Sequence, residues 1–293
     1  SLGNSNSFSK FIFASELKML YDILKESSKN YKKPLYFIKQ FRPGTYSYLT
    51  MKHTVSPKWI LKKEGIRYNT FSFDSCFAKF YQPSKNEYIQ KIREYMINAV
   101  YKRCSTTERP IACLLSGGLD SSLIAALVNT FCKNNNLQQL ETYSIGIIGS
   151  EDLKYAKIVS DYLGTKHTQI ELTEQDFIDA IPNVIYDIES FDTTTVRASI
   201  GNWLIGKHIS ENSDAKVIFN GDGSDELMGG YLYVNKAPDS IEFDKECKRL
   251  IKDIYLFDVL RSDKCISSHG LEPRTPFLDR EWVQFYFSIP LKY

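Results

Sequence analysis

The 293-residue sequence lacks the features that would place it in a membrane or on a nucleic acid. No apolar run approaches the roughly 18 residues that a membrane span needs. The 37 basic and 35 acidic residues nearly cancel, so no excess of positive charge favours a polyanionic partner. The N-terminal residues also lack the charged and then apolar pattern of a secretion signal. We therefore expect a cytoplasmic protein with no nucleic-acid and no membrane partner.

The sequence is also poor in metal-binding and disulfide patterns. Its six cysteines show no Cys-x-x-Cys spacing, and its four histidines are dispersed. Zinc sites and disulfide frameworks depend on such clustered spacing. The cysteines are therefore predicted to be reduced and mostly in the core. They are Cys76, Cys104, Cys113, Cys132, Cys247 and Cys265.

A strand-like run that ends in a glycine pair is the most informative segment of the chain. Residues 111–115 are apolar, Ser116-Gly117-Gly118 follows, and residues 122–128 are apolar nearly all round, as a buried helix would be. Glycine lets the backbone approach an anion closely, and a helix start supplies free N–H groups and the positive end of the helix dipole. The segment is therefore predicted to hold phosphate. The alternative is an ordinary strand–turn–helix with Asp120 or Ser121 as N-cap.

This first glycine loop differs from two common glycine-containing loops, the Walker A loop and the nucleophile elbow. No Lys-Ser/Thr pair follows the glycines, as it would in a Walker A loop. No serine stands between single glycines, as it would in a nucleophile elbow.

Farther along, the strand-like residues 215–219 open into a second glycine-rich and acidic loop at residues 220–226. We take the two loops as parts of one site.

The first loop matches the Ser-Gly-Gly-x-Asp-Ser loop of the ATP pyrophosphatases, which cleave ATP between the α- and β-phosphates. With the second loop and further segments in the same order, nearly the whole chain resembles the glutamine-dependent asparagine synthetases. The further segments are residues 13–18, 41–46, 149–154, 192–199, 231–238 and 274–279. The resemblance implies the fold of the adenine nucleotide alpha hydrolases.

The resemblance implies a carbon–nitrogen ligase. Such an enzyme converts L-aspartate to L-asparagine through a β-aspartyl-AMP intermediate, releases AMP and pyrophosphate, and takes ammonia from glutamine in the full-length protein. ATP is then a substrate and Mg²⁺ a cofactor, and a homodimer is one possible assembly. Two alternatives stay open: a related carboxylate-adenylating ligase such as a lactam synthetase, and a catalytically silent binding protein with the same fold.

The resemblance also assigns residues to the nucleotide and metal parts of the site. Asp120 and Asp225 are implied to bind Mg²⁺ through hard carboxylate oxygens, although either could instead be a helix N-cap. The residues implied to bind ATP are Leu114, Leu115, Ser116, Gly117, Gly118, Ser121, Ser122, Ile145, Asn220 and Gly221. The leucines and the isoleucine would line an apolar slot for adenine, although a plain core would contain the same residue types.

Four catalytic residues are implied by the same resemblance: Thr194, Thr195, Arg197 and Asp222. The first three match the family segment near aspartate and the α-phosphate, where a guanidinium stabilises charge; the alternative for Arg197 is a surface residue on a helix. Asp222 stands where the family usually has glutamate in Ser-Gly-Glu-Gly-Ser-Asp-Glu, and Asn220 replaces its serine. The shorter carboxylate predicts a slower reaction, since a misplacement of about 1 Å can cost on the order of 100-fold in rate.

From residue 84 onward, strand-like and helical patterns alternate. This alternation predicts a parallel, doubly wound α/β sheet with a ligand site at the carboxyl ends of its strands. Ser150 and Thr173 are predicted to cap helices, and Gly164 to stop one. The strands are predicted at 111–115, 142–148, 167–172 and 215–219, and the helices at 88–101, 121–132, 151–163, 174–189 and 196–210. Residues 241–265 predict one long helix in a helical C-terminal part.

Residues 1–82 predict short strands at 11–13, 35–38 and 46–49, with one helix at 15–24. The resemblance makes them the last strands of an α+β glutaminase sandwich of the N-terminal-nucleophile type, incomplete here, and makes residues 83–293 the synthetase domain. The family's glutaminase nucleophile is an N-terminal cysteine, whereas the first cysteine here is Cys76. The family also continues beyond residue 279 to a catalytic lysine. We therefore expect a longer protein, and no glutaminase activity from these 293 residues.

Overall fold

The structure is a computed structural model that describes residues 7–8, 11–28, 38–53, 55, 57–68 and 83–293. The chain divides into two compact units, Ser1–Cys76 and Phe77–Tyr293. The sequence placed the boundary a few residues later, between residues 82 and 83. Among the described residues, no helix combines the length and the hydropathy that crossing a membrane requires.

The described part of the first unit contains a small antiparallel sheet and one α-helix. In the sheet, β3 (Lys58–Arg67) lies between β1 (Ser7–Phe8) and β2 (Thr45–Lys52). The strand predicted at 46–49 is confirmed within β2. The sequence analysis did not predict β3, because its lysine-rich second half is exposed and gives no alternation of apolar and polar residues.

Two other predictions for the first unit differ from the structure. A strand at 11–13 is wrong: these residues form no ladder with any described strand, and the Phe11 and Phe13 rings stack on each other instead, 6.3 Å apart. The helix predicted at 15–24 starts later, as the 3-10 turn Leu17–Leu20, and continues as α1 (Tyr21–Ser28). The strand predicted at 35–38 lies outside the described residues except for Ile38, which is not in a strand.

The second unit is built on a parallel sheet, as the sequence predicted, and this sheet has five strands. Its strands are β4 (Ile111–Leu114), β5 (Glu141–Ile147), β6 (Lys166–Leu172), β7 (Val217–Phe219) and β8 (Glu272–Arg274). They lie side by side in the order β6-β5-β4-β7-β8. The short edge strand β8 was not predicted, because it has only three residues and one of them is Pro273.

Helices cover the sheet and extend it toward the C-terminus. They are α2 (Lys85–Ser105), α3 (Leu119–Asn134), α4 (Glu151–Leu163), α5 (Glu174–Ile188), α6 (Thr193–Asn212), α7 (Ser224–Met228), α8 (Ser240–Asp253), α9 (Asp258–Ser267) and α10 (Arg280–Tyr286). Thr173 caps α5 in a capping box with Asp176, and Gly164 ends α4 in the left-handed conformation, both as predicted. Ser150 occupies the N-cap position of α4, but its side chain makes no capping hydrogen bond.

The long helix predicted at 241–265 is wrong, because the chain bends between α8 and α9. A 3-10 turn at Ile254–Leu256 and a non-helical Phe257 (φ −122°, ψ −102°) separate the two helices. The bend lets α9 pack against α6 and bury Cys265 beside it. No glycine or proline marks this position, so the helical periodicity continues through the bend without a visible signal.

The core lies on both faces of the sheet, since successive strand residues point to opposite sides. On one face, Ala112 of β4 packs in a cluster with Ile205 of α6 and Ile266 of α9. On the other, the buried Cys113 faces the thiols of Cys104 on α2 and Cys132 on α3. The five cysteines within the described residues are all free and buried, as predicted, while Cys76 lies outside the described residues.

The strand order places a crevice between β4 and β7. From β4 the chain moves outward to β5 and β6, and it then returns to β7 on the other side of β4. The connections that leave β4 and β7 therefore diverge at the carboxyl edge of the sheet. Such a point of reversal is where open parallel sheets bind ligands.

Candidate nucleotide and metal site

The first glycine loop leaves β4 at this crevice and leads directly into α3. The N–H of Leu115 still donates to the carbonyl of Tyr143 at 2.8 Å, and Gly117 then turns the chain with φ +82°. Gly118 is the N-cap of α3 and has no capping side chain. The alternative in which Asp120 or Ser121 is the N-cap is therefore wrong. No capping side chain takes up the free N–H groups at the start of α3, so they remain available to an anion.

Hydroxyl groups brace the loop from inside. The Ser121 hydroxyl lies 3.0 Å from that of Ser116 and accepts a hydrogen bond from the Ser116 N–H at 3.2 Å. The N–H of Gly118 donates to Ser116 Oγ at 3.3 Å. Ser122 Oγ is buried and finds no hydrogen-bond partner within the described part of the chain. Ser116 and Gly118 are exposed, so a ligand can reach the rim of the loop.

Helix α4 supports the loop from behind. A Cβ atom at Gly117 would lie 2.5 Å from the backbone nitrogen of Ala156 and 2.5 Å from the carbonyl carbon of Tyr155. Only a glycine permits this approach while also tolerating a positive φ. The position of the loop is therefore set by the backbone of α4.

The second glycine loop contacts the first one. It begins after β7, and a Cβ atom at Gly221 would lie 3.1 Å from both Asp120 Cβ and Ser121 N. Gly223, with φ +90°, is the N-cap of α7. The starts of α3 and α7 thus lie close together at the crevice. The alternative in which Asp225 is an N-cap is wrong as well, because Gly223 holds that position.

Asp120 and Asp225 form a pair of carboxylates in the first turns of α3 and α7. Burial raises the pKa of Asp225, and the negative charges of Asp120 and then Asp258 raise this pKa further. Neither carboxylate forms an ion pair within the described residues. Carboxylates without a cationic partner suit Mg²⁺, which takes one or two carboxylates and completes its shell with water and phosphate oxygens. The donor set therefore fits this ion, although the described residues include no cluster of three or more acidic, histidine or cysteine ligands.

Asp222 lies on the second loop, three residues before Asp225, and Asn220 contacts its side chain. Asn220 is buried, and its Nδ2 donates to Asp222 Oδ2 at 2.8 Å and to Ser262 Oγ at 2.5 Å. Burial is the largest cause that raises the pKa of Asp222 to about 6, and the negative charge of Asp258 also raises it. The hydrogen bond from Ser262 and the positive charge of Arg261 lower it. Asp222 is therefore mostly ionised at neutral pH and close enough to its pKa to exchange a proton.

A second acidic group lies deeper, behind the second loop. Glu226 is 2 % exposed and accepts a hydrogen bond from the Tyr231 hydroxyl at 2.5 Å. The same hydroxyl lies 3.4 Å from Asp258 Oδ2, and Asp258 forms an ion pair with Arg261. Burial, together with the neighbouring Asp258 carboxylate, raises the pKa of Glu226 to about 8. The sequence analysis did not single out Asp258, Arg261 and Ser262, although their spacing puts them on one helix face.

The three apolar residues predicted to line the adenine slot belong to the core or pack against it. Leu115 is 1 % exposed and belongs to the core, while Leu114 and Ile145 are partly buried and pack against the cluster around Ala112. These placements are compatible with the plain-core alternative for all three side chains.

The three residues predicted on α6 lie near its start. Asp192 caps this helix and accepts from both the N–H and the hydroxyl of Thr195 at 2.8 Å. Thr194 and Arg197 are exposed. Across the described residues, the Arg197 guanidinium makes no hydrogen bond or ion pair.

Comparisons with known proteins agree with this geometry. The family model for asparagine synthase matches residues 91–244 and 237–293. The chain is 39% identical over 272 residues to asparagine synthetase (glutamine-hydrolyzing) of Mus musculus, which covers 90% of this chain and 48% of that protein. For the enzyme of Gallus gallus the identity is 39% over 284 residues, covering 94% of this chain and 49% of the relative. The chain thus spans about half the length of the curated relatives it matches.

Among solved structures, the NH3-dependent NAD synthetase of Campylobacter jejuni is similar with a TM-score of 0.34 and 19% identity, covering 69% of this chain and 93% of that one. The family match covers most of the second unit, including both glycine loops. The chain belongs to the asparagine synthase family.

Proposed function

We propose that the second unit activates the side-chain carboxylate of L-aspartate with ATP and passes the aspartyl group to ammonia. The products would be L-asparagine, AMP and pyrophosphate. The observation that carries this proposal is the contact between the two glycine loops, where Gly221 lies against Asp120 and Ser121. The contact brings the start of α3 and the loop that carries Asp222 and Asp225 together at one crevice, which supports a shared nucleotide and metal site. The names of the curated relatives support the same reaction.

The first loop would bind the phosphates that leave as pyrophosphate. The exposed Ser116 and Gly118 and the N–H groups at the start of α3 would donate hydrogen bonds to phosphate oxygens. Asp120 and Asp225 would hold Mg²⁺, which when bound neutralises charge on those oxygens. The adenosine would lie against Leu114, Ile145 and the backbone of Asn220 and Gly221, with the buried Leu115 supporting the slot from the core. Gly117, Ser121 and Ser122 would keep the loop in shape.

Asp222 and the start of α6 would act on the second half of the reaction. With its pKa near 6, the Asp222 carboxylate could take a proton from the attacking ammonia. Arg197 has a free guanidinium, and with Thr194 and Thr195 it would orient aspartate and the α-phosphate.

The wider assignments follow from the family and are also proposals. The first unit would be the end of a glutaminase-type domain, so that the complete protein draws ammonia from glutamine. Residues 83–293 would be the synthetase domain. The protein would be cytoplasmic, and a homodimer is the assembly to test first.

The products of the reaction test the proposal. Purified protein with ATP, Mg²⁺, aspartate and ammonium should release AMP and pyrophosphate in equal amounts with asparagine. Release of ADP and phosphate would contradict the proposal, and nucleotide binding without turnover would favour the silent alternative. Asp120→Asn should weaken Mg²⁺-dependent ATP binding by more than about 10-fold, a loss that even outer-shell metal partners can cause. Glu174→Gln, which removes a first-turn carboxylate from α5, is the matched control and should bind as before.

A further inference from the structure

We propose that Asn220 is a positioning residue for Asp222, and that the two side chains form a matched pair. The amide of Asn220 fixes the short carboxylate of Asp222 in the crevice, in place of the serine and glutamate that the family usually has there. This inference rests on the proposed function, because it concerns the group that would accept the proton of ammonia. It assigns a role to the Asn220 side chain, which the proposed reaction does not otherwise use.

The contacts of Asn220 hold the Asp222 side chain from two directions. The Asn220 Nδ2 donates to Asp222 Oδ2 at 2.8 Å, while the N–H of Asp222 points back to Asn220 Oδ1 at 3.4 Å. The amide and the carboxylate thus close a small ring across Gly221. Such a ring restricts the rotation of a side chain that would otherwise lose its orientation at the mouth of a crevice.

Asn220 is itself fixed by the structure around it. The residue is 4 % exposed, and its backbone N–H donates to the carbonyl of Arg274 on β8 at 3.2 Å. Its Nδ2 also donates to the hydroxyl oxygen of Ser262, which is 1 % exposed on α9, at 2.5 Å. Because Ser262 accepts from Asn220, its own hydrogen is free to donate to Asp222, and this bond lowers the pKa of Asp222. Asn220 therefore orients both donors that face the carboxylate.

The chemistry of the side chains explains why both positions must change together. A serine at 220 has one donor and cannot reach both Asp222 and Ser262 as an amide does. A glutamate at 222 would carry its carboxylate about one methylene past the amide of Asn220. Each single replacement by the family's usual residue therefore breaks the hydrogen bond, whereas the double replacement removes the mismatch.

A four-variant cycle tests the pair through turnover. The variants are the unaltered protein, Asn220→Ser, Asp222→Glu and the double variant, compared by the rate of asparagine formation from ammonium. Each single variant should lose about 10-fold or more, the usual worth of a hydrogen bond to a charged group. The double variant should be at least about fivefold faster than the product of the two single effects. If the rate loss of the double variant equals the product of the two single losses, the pairing is overturned.

The pKa of Asp222 provides a measurement that a merely structural role would not change. The groups that face Asp222 are Asn220 on its own loop and Asp258, Arg261, Ser262 and Cys265 on α9. Asn220→Ala removes a donor to the ionised form, so the pKa should rise above its value of about 6. Carbon-13 NMR of protein labelled at aspartate carboxyl carbons follows this titration, with the Asp222 signal assigned through Asp222→Asn.

Matched controls separate positioning from folding. Asn129→Ala also removes a buried amide, which donates to the carbonyl of Leu163 at 2.8 Å, and it should leave the pKa of Asp222 unchanged. If Asn220→Ala does not fold, Ser262→Ala replaces it, because loss of that hydroxyl should raise the same pKa. An unchanged pKa in the folded variant would overturn the inference even if turnover continues. If the unaltered protein makes no asparagine but Asn220→Ala still raises the pKa of Asp222, the proposed function is rejected and the pairing of Asn220 with Asp222 is retained.

Discussion

The contact between Gly117 and α4 predicts that alanine at this position is far more damaging than at a comparable glycine. Gly117 has φ +82°, and an added Cβ would lie 2.5 Å from backbone atoms of Tyr155 and Ala156. Gly149 has nearly the same φ, +81°, but nothing lies within 4 Å of an added Cβ. The two positions share the conformational cost of alanine and differ in the steric one.

The magnitudes follow from these two contributions. A left-handed conformation costs an alanine about 1–2 kcal/mol, which is all that Gly149→Ala should lose. Gly117→Ala adds overpacking against a helix backbone, which cannot rotate away as a side chain could, for about 1–3 kcal/mol more. The expected loss for Gly117→Ala is therefore about 2–5 kcal/mol.

Urea unfolding followed by far-ultraviolet circular dichroism measures the difference, and titration with ATP and Mg²⁺ measures its consequence. In Gly117→Ala the loop must move away from α4, so nucleotide binding should weaken together with stability. Equal destabilisation of the two variants would refute the reasoning, because it would mean that α4 does not constrain the loop.

Two further predictions concern buried charges. Arg103→Ala should cost about 2–4 kcal/mol, because it strips the 2.7 Å ion pair from Asp279, whose side chain is 5 % exposed. Lys157→Ala, which breaks an exposed pair on α4, should cost about 0–1 kcal/mol. Burial alone would raise the pKa of Asp279, but Arg103 holds it below its ordinary value. The contribution of Asp279 to stability should therefore disappear as pH falls through the folded pKa. Urea unfolding from about pH 6 down to about pH 3 checks this, and a loss of stability that does not depend on pH would contradict it. The pH dependence that Glu226 gives to stability has the opposite sign. Its pKa of about 8 means that the folded state keeps a proton that the unfolded chain releases near pH 4.5. The free energy of unfolding should therefore fall as pH rises between these two values. Glu226→Gln in metal-free buffer should flatten this dependence, and an unchanged slope would contradict it.

Most of the second unit could be predicted from the sequence because its signals are local. Apolar runs marked four of its five strands, and residues such as Thr173 and Gly164 marked helix ends through contacts within a few positions. The parallel sheet followed from the alternation of these elements. The glycine loops were found because strand, glycine pair and helix start stand next to each other in the chain.

The misses depend on contacts between distant segments. Strand β8 is only three residues long and forms because it pairs with β7. The bend between α8 and α9 occurs without glycine or proline, and it is favoured by the burial of Cys265 against α6. Ser262 enters the site through that bend, so no local pattern could assign it. The same holds for Asn220, whose side-chain role appears only when Asp222 and Ser262 are seen beside it.

The distribution of charge at the crevice links nucleotide binding to metal binding. Asp120, Asp222 and Asp225 lie on the two loops, and Arg261, whose charge lowers the pKa of Asp222, already pairs with Asp258. ATP brings several more negative charges to the same place. Backbone N–H groups and a helix dipole offer only partial positive charge, so repulsion from the carboxylates would oppose ATP alone. If Asp120 and Asp225 hold Mg²⁺ as proposed, its positive charge would offset that repulsion. Each ligand should therefore raise the affinity of the other by the same factor, as linkage requires.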